Sequence, residues 1–187
     1  QMAALQSDQV GSLTSDQVVA FNATQLAAIE TQDLIALSTD NVVALTTDQI
    51  PSLTTQQASN LTTRQVAAIT TDQLAVLETQ DLAALTSAQI QALSPEQIET
   101  LSTEQIVGMQ RGQFNSMTTD QLAALLTSQI EVIETFDIGG LTTAQIDSLS
   151  TDQVAAFSTS QVAALTTSEA ATLSAAQAKA LTTAQVQ

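Results

Sequence analysis

The stretch Leu93-Ser94-Pro95-Glu96-Gln97-Ile98 reads as the start of an α-helix. Ser94 suits the N-cap, where its hydroxyl accepts a hydrogen bond from the backbone N–H three residues on. Gln97, at that third position, reaches back to the N-cap N–H, so the two form a capping box. Pro95 falls at the first helical position, where a missing N–H costs nothing. Leu93 and Ile98 flank the cap at the spacing of a hydrophobic staple. Variants of this phrase recur every eight residues, as in Leu13-Thr14-Ser15-Asp16-Gln17-Val18 and Leu141-Thr142-Thr143-Ala144-Gln145-Ile146. If each phrase starts a helix, the next start leaves room for only about one and a half turns.

Stepping by eight from Leu5 to Leu181 meets only large apolar residues, and the consensus octad is L-T-T-D-Q-V-A-A. A short, fixed period without insertions means one structural unit stacked in a line. The chain is therefore read as a single continuous octapeptide-repeat array over residues 1–187, with 22 full octads over 5–180 and partial octads at both ends. The expected fold is all-α, an α-solenoid or superhelical spiral of very short capped helices, one per octad. Helices this short are unstable alone in water, so caps and stacking must hold them. Two other folds compete. In one continuous helix each octad would advance about 800°, and the drift of about 80° would smear the leucines over every face. A β-solenoid needs period-two alternation, whereas positions one, three, five and seven are typically Leu, Thr, Gln and Ala.

Tolerance within the chain assigns the faces. Position six is Val, Ile or Leu in most octads, with Phe114, Ala58, Ala170 and Ala178 as exceptions. Position eight takes small or β-branched residues such as Ala20, Ser52, Gly108, Val132 and Thr172. Positions one, six and eight are the expected core. Position seven admits Gln91, Glu99, Asp147 and Lys179, and position four admits Asp16, Arg64, Ser160 and Phe136, so both should face water. Pro51, at position seven, should weaken its octad by removing a helical hydrogen bond.

The net charge is −16, and the only basic residues are Arg64, Arg111 and Lys179. No cationic footprint exists for nucleic acid. No apolar run is long enough for membrane insertion. Cysteine and histidine are absent, which removes disulfides, thiolate metal sites and the commonest general base. No nucleophile–base constellation stands out from the repeat, so the chain is not expected to be an enzyme or to need a cofactor.

Three features could carry chemistry. Asp8, Asp16, Asp40 and Asp48 share position four, and ladders formed by adjacent octads could attract Ca²⁺. Their plainer role is to favour the positive helix end and keep the surface soluble. Glu at position two always accompanies Asp at position five: Glu30 with Asp33, Glu78 with Asp81, Glu134 with Asp137. The pairing suggests side chains that touch or share backbone donors, a variant cap rather than an acid–base dyad. The stretch from Met109 to Gly140 is the least regular, and in it Leu126 and Phe136 are apolar residues at exposed positions. These two are the candidate interaction residues.

The phrase Leu13-Thr14-Ser15-Asp16-Gln17-Val18-Val19-Ala20-Phe21 resembles the first helix of transcription-activator-like effector repeats. The second helix, the base-reading loop and the basic charge of that family are missing here, so DNA recognition does not carry over. Runs such as Leu77-Glu78-Thr79-Gln80-Asp81-Leu82-Ala83-Ala84-Leu85, and the whole chain with them, resemble octapeptide-repeat regions of very large bacterial secreted or surface adhesin-like proteins. That resemblance implies an extracellular or bacterial cell-surface location and supplies no functional residues. The expected function is that of a non-catalytic rod-like spacer, stalk or fibre-forming segment. The alternative is a binding or adhesion module that uses one face for a peptide, glycan or Ca²⁺. Neither end carries a polar cap, which suggests a piece of a longer array or end-to-end self-association.

Overall fold

The computed structural model describes residues 5–186, so the partial octad at 1–4 lies outside the described residues. All regular elements among the described residues are helical: α-helices of four to six residues, plus one 3-10 turn at Ile50–Ser52. They start where the capping phrase places them. Ser94 caps Pro95–Glu99 with Pro95 at the first position, and Thr62 caps Thr63–Ala68. The octad containing Pro51 forms the 3-10 turn instead of an α-helix, as the loss of a donor there requires.

The described residues form two compact units that meet between Leu93 and Ser94 in sequence. In each unit a helix packs on the helix three octads later. In the first, Ser7–Gly11 packs on Thr31–Leu34, which packs on Thr55–Asn60, which packs on Thr79–Ala84. A second column runs through Ser15–Val19, Thr39–Ala44, Thr63–Ala68 and Ser87–Ala92. In the second unit, Pro95–Glu99, Thr119–Ala123, Thr143–Asp147 and Thr167–Thr172 form such a column, as do Arg111–Ser116, Thr135–Ile138 and Thr159–Ala164. The packing within each unit is thus solenoid-like, with about three octads to a turn.

Positions one and six fill the interior as expected. Val18, Leu26, Leu74, Ile98 and Ile130 at position six are completely buried, and Leu45, Leu77 and Leu101 at position one nearly so. Each contributes roughly 1.5–3 kcal/mol of hydrophobic stabilisation relative to an exposed side chain. Position eight is not core. Ala44, Ser52, Gly108 and Gly140 are half-buried, and Ala20, Asn60 and Thr100 are exposed. The third core position is five. Gln57, Gln65, Gln73, Gln89, Gln121 and Gln129 are buried beside the apolar residues.

A buried amide is stable only when its polar atoms are paired. Position five achieves this by joining two turns. Gln73 Oε1 accepts from the Thr70 N–H at 2.8 Å, which is half of the capping box. Its Nε2 donates to the carbonyls of Val42, Val43 and Leu45, one turn earlier, at 2.9, 3.1 and 2.6 Å. Gln49, Gln57, Gln65 and Gln89 repeat the pattern in the first unit, always reaching carbonyls 28 and 31 residues back. Gln129, Gln145, Gln153, Gln161 and Gln177 do so in the second. A helix end leaves donors at its N-terminus and acceptors at its C-terminus unpaired. One glutamine satisfies both kinds, on two different turns.

Gln73→Glu isolates the second role, because a carboxylate keeps the acceptor for Thr70 but loses the donors. It should destabilise the chain by about 1–3 kcal/mol at pH 7, as judged by urea denaturation. A loss no larger than that of Gln56→Glu, on the exposed position four, would show that the inter-turn bonds contribute little.

Candidate functional site

The irregular stretch between Met109 and Gly140 is where the repeat is most altered, and several of the alterations meet in space. Position three normally carries a small Thr or Ser, but here it carries Arg111. One turn later, the octad Ile133–Gly140 carries Phe136, Asp137, Gly139 and Gly140. The Arg111 guanidinium lies 4.3 Å from the centroid of the Phe136 ring and donates to the Gly139 carbonyl at 2.9 Å. Gly140 leaves room for this path, whereas Gly139 leaves room for the next turn. A Cβ on Gly140 would sit 2.2 Å from Arg111 Nε, and one on Gly139 would sit 2.9 Å from the Ala164 carbonyl oxygen of the next turn. Burial raises the Asp137 carboxyl above its ordinary value, the nearby Glu134 carboxylate raises it further, and the Arg111 charge pulls it back.

The same arrangement recurs at the other two Glu–Asp octads. Position three of one turn faces position five of the next. Ser7 donates to Asp33 Oδ1 at 2.6 Å, the Thr55 hydroxyl acts on the Asp81 carboxyl, and the Arg111 charge acts on the Asp137 carboxyl. The expected direct link between Glu and Asp is absent. Glu30 and Glu78 make no side-chain cap bond and accept instead from Gln32 Nε2 at 2.9 Å and Gln80 Nε2 at 2.7 Å. Two carboxylates cannot hydrogen-bond while both are ionised, and Glu78 acts on Asp81 only by repulsion. The pair is a joint change of both box residues, not a contact.

Asp8, Asp16, Asp40 and Asp48 are all exposed. Because stacking runs every three octads, neither Asp8 and Asp16 nor Asp40 and Asp48 fall in one column, so the ladders expected between adjacent octads do not form. Among the described residues, no three acidic side chains converge as a metal-ion site. Leu126 occupies a helix N-cap and is 46% exposed. It offers no acceptor, so only the Gln129 half of its box survives, with Oε1 accepting from the Leu126 N–H at 2.7 Å. Phe136 is 65% exposed, with Arg111 over its ring. Surface grooves between turns measure about 470 Å³ near Ile29, Glu30, Thr54 and Gln56, about 450 Å³ near Ile35, Thr39, Thr62 and Arg64, and about 370 Å³ near Thr143, Asp147 and Thr172. Their walls are mainly Thr and apolar side chains, suited to van der Waals and hydroxyl contacts. No helix among the described residues is long and apolar enough to cross a membrane.

Sequence reasoning misses Arg111 as a partner of Asp137. The signal is present in the offset from Arg111 to Asp137, which equals that from Ser7 to Asp33. It has meaning only once the three-octad turn is known.

The family described as the ALTTAQ repeat matches residues 26–63, 74–111 and 130–167. The starts of the three matches are separated by whole numbers of octads, and each falls half an octad before Glu30, Glu78 or Glu134. No curated protein matches the chain.

Gly140→Ala should destabilise the chain by displacing Arg111, and the same change in an Arg111→Ala background should be neutral or stabilising, since alanine restricts the unfolded chain more than glycine. The expected coupling is about 0.5–3 kcal/mol in a double-mutant cycle read by chemical denaturation. Additive effects would mean that the arginine does not depend on the missing Cβ.

Proposed function

Because the chain belongs to the ALTTAQ repeat family and the structure repeats one capped octad, we propose that it is a non-catalytic structural repeat protein. Its role is that of a spacer or stalk segment within a secreted or cell-surface bacterial protein. The observation that carries this reading is the glutamine link. In octad after octad, the side chain with the greatest hydrogen-bonding capacity is spent on holding one turn to the next. Polar groups committed in this way are not free to bind or transform a substrate. The fixed period serves length, because each added octad repeats the same contacts and needs no new ones. The acidic surface keeps such an array soluble and discourages association with anionic polymers. The placement outside the cell rests on the resemblance to octapeptide-repeat regions of bacterial surface proteins.

The test is a series of chains shortened by whole turns of three octads and studied by small-angle X-ray scattering. A spacer requires the maximum dimension to grow in equal increments with each turn added. A dimension that stays constant, with only the thickness increasing, would overturn the reading, as would any intrinsic turnover that depends on a single octad.

A further inference from the structure

The Glu–Asp octads leave one group that the repeat does not explain. Asp81 is 1% exposed, and neither of its carboxylate oxygens has a hydrogen-bond partner at ordinary distance and angle, although the Thr55 hydroxyl is near enough to act on the carboxyl. It stands at position five, where glutamines donate to carbonyls of the preceding turn, as Gln73 does to Val42 and Leu45. By that register the acceptors facing position 81 are the carbonyls of Ile50 and Leu53. An ionised carboxylate has nothing to offer them.

Asn41 shows what a side chain of this length does at the same position. Its Oδ1 accepts from the Ser15 hydroxyl of the preceding turn at 3.1 Å. Its Nδ2 donates to the Leu13 carbonyl of that turn at 2.8 Å. Protonated aspartic acid has the shape of asparagine, with an O–H in place of one N–H. Asp81 has the matching surroundings. Thr55 and Leu53 hold the same places relative to Asp81 as Ser15 and Leu13 hold relative to Asn41.

We propose that Asp81 is a proton-dependent link between turns. One oxygen accepts from the Thr55 hydroxyl while the protonated oxygen donates to the Leu53 carbonyl. Ionisation removes that donor and leaves a buried charge against an acceptor. The surroundings favour the proton. Burial raises the Asp81 carboxyl, the Thr55 hydroxyl opposes this, and repulsion from Glu78 adds to it. Glu78, at the N-cap of the same helix, is the charged group that faces it. The underlying helix Thr55–Asn60 and the turn Ile50–Ser52 hold no titratable residue. At Asp137 burial and Glu134 also favour the proton, but Arg111 of the preceding turn adds an opposing positive charge that Asp81 lacks.

The direction of the pH effect follows. The folded chain holds the Asp81 proton more tightly than the unfolded chain, whose carboxyl titrates near the ordinary 3.8. The link is therefore complete below that value and is lost as pH rises through the raised folded value. The experiment compares thermal melts of the full chain and its Asp81→Asn variant from pH 4 to pH 8. Asparagine donates at every pH, so the variant should melt roughly 2–4 °C above the wild type at pH 8. That gap should close towards pH 4. A gap of constant size, or none, overturns the proposal. So does millimolar Ca²⁺ or Mg²⁺ that raises the wild-type melt at pH 8 but not that of the variant, since the carboxylate would then bind a metal ion. A carbon-13 NMR titration of the wild-type Asp81 carboxyl gives an independent reading. A midpoint above the ordinary aspartate range supports the link, and one within that range refutes it.

Discussion

The structure depends on the position-five amide having both an acceptor and two donors. Short helices expose many unpaired backbone groups relative to the few hydrogen bonds they contain. A helix of five or six residues consists almost wholly of its two ends. Capping the N-terminus from within the octad, with Thr or Ser and the Gln Oε1, settles half of the deficit. The other half lies at the C-terminal carbonyls of the preceding turn, where a position-eight hydroxyl such as Ser52 or Thr100 reaches the position-five carbonyl but the carbonyls of positions six and one are left over. Gln Nε2, arriving from the next turn, reaches those. Solenoid stacking and helix capping are thus one interaction seen from its two ends, which explains why so polar a residue lies beside Leu and Ile in the interior.

The exceptions at position five show how the link can be varied. Glutamine in the later turn donates to carbonyls of the earlier one. At Asp33 this is reversed, because the donor is the Ser7 hydroxyl at position three of the earlier turn; at Asp137 the Arg111 at that position supplies charge, while its guanidinium donates to the Gly139 carbonyl. Arginine in that place is long and needs room, which Gly140 provides. Within the irregular stretch between Met109 and Gly140, the changes at Arg111, Phe136, Asp137 and Gly140 are therefore connected, while Leu126 stands apart. Phe136, the most exposed aromatic residue in that stretch, belongs to the same arrangement through its contact with Arg111.

Much of the fold is legible in the sequence because capping is local. The spacing of Ser94, Pro95 and Gln97 specifies a helix start without any tertiary information, and the period of eight limits the helix length. The apolar character of positions one and six likewise marks the core directly. The number of octads per turn is not legible, since it depends on how helices pack rather than on any short local pattern. The errors follow from that gap. Gln73 reads as a cap but not as a buried side chain, because its second set of partners lies a full solenoid turn away. Asp8 and Asp16 pair as neighbours in sequence, whereas the columns join octads three apart. Position eight reads as core for its small size, but smallness there accommodates a neighbouring turn, as at Gly140, rather than filling the interior.

The column geometry also determines where variation is tolerated. Along the column from Ser15–Val19 to Ser87–Ala92, position four carries Asp16, Asp40, Arg64 and Ala88 in order, and all four are exposed. No hydrogen bond joins Asp16, Asp40 and Arg64 across the turns, so the position drifts between acid, base and alanine at little cost. Along the column from Ser7–Gly11 to Thr79–Ala84, position five carries Gln9, Asp33, Gln57 and Asp81, so glutamine and aspartate alternate. Drift there is constrained, because each change must preserve a donor for the turn boundary, whether from an amide, a hydroxyl, a guanidinium or a proton. The polar residues of this repeat thus divide by what they hold together. Those that join turns keep a narrow chemistry and lie buried, while those that only meet solvent vary freely and carry most of the negative charge.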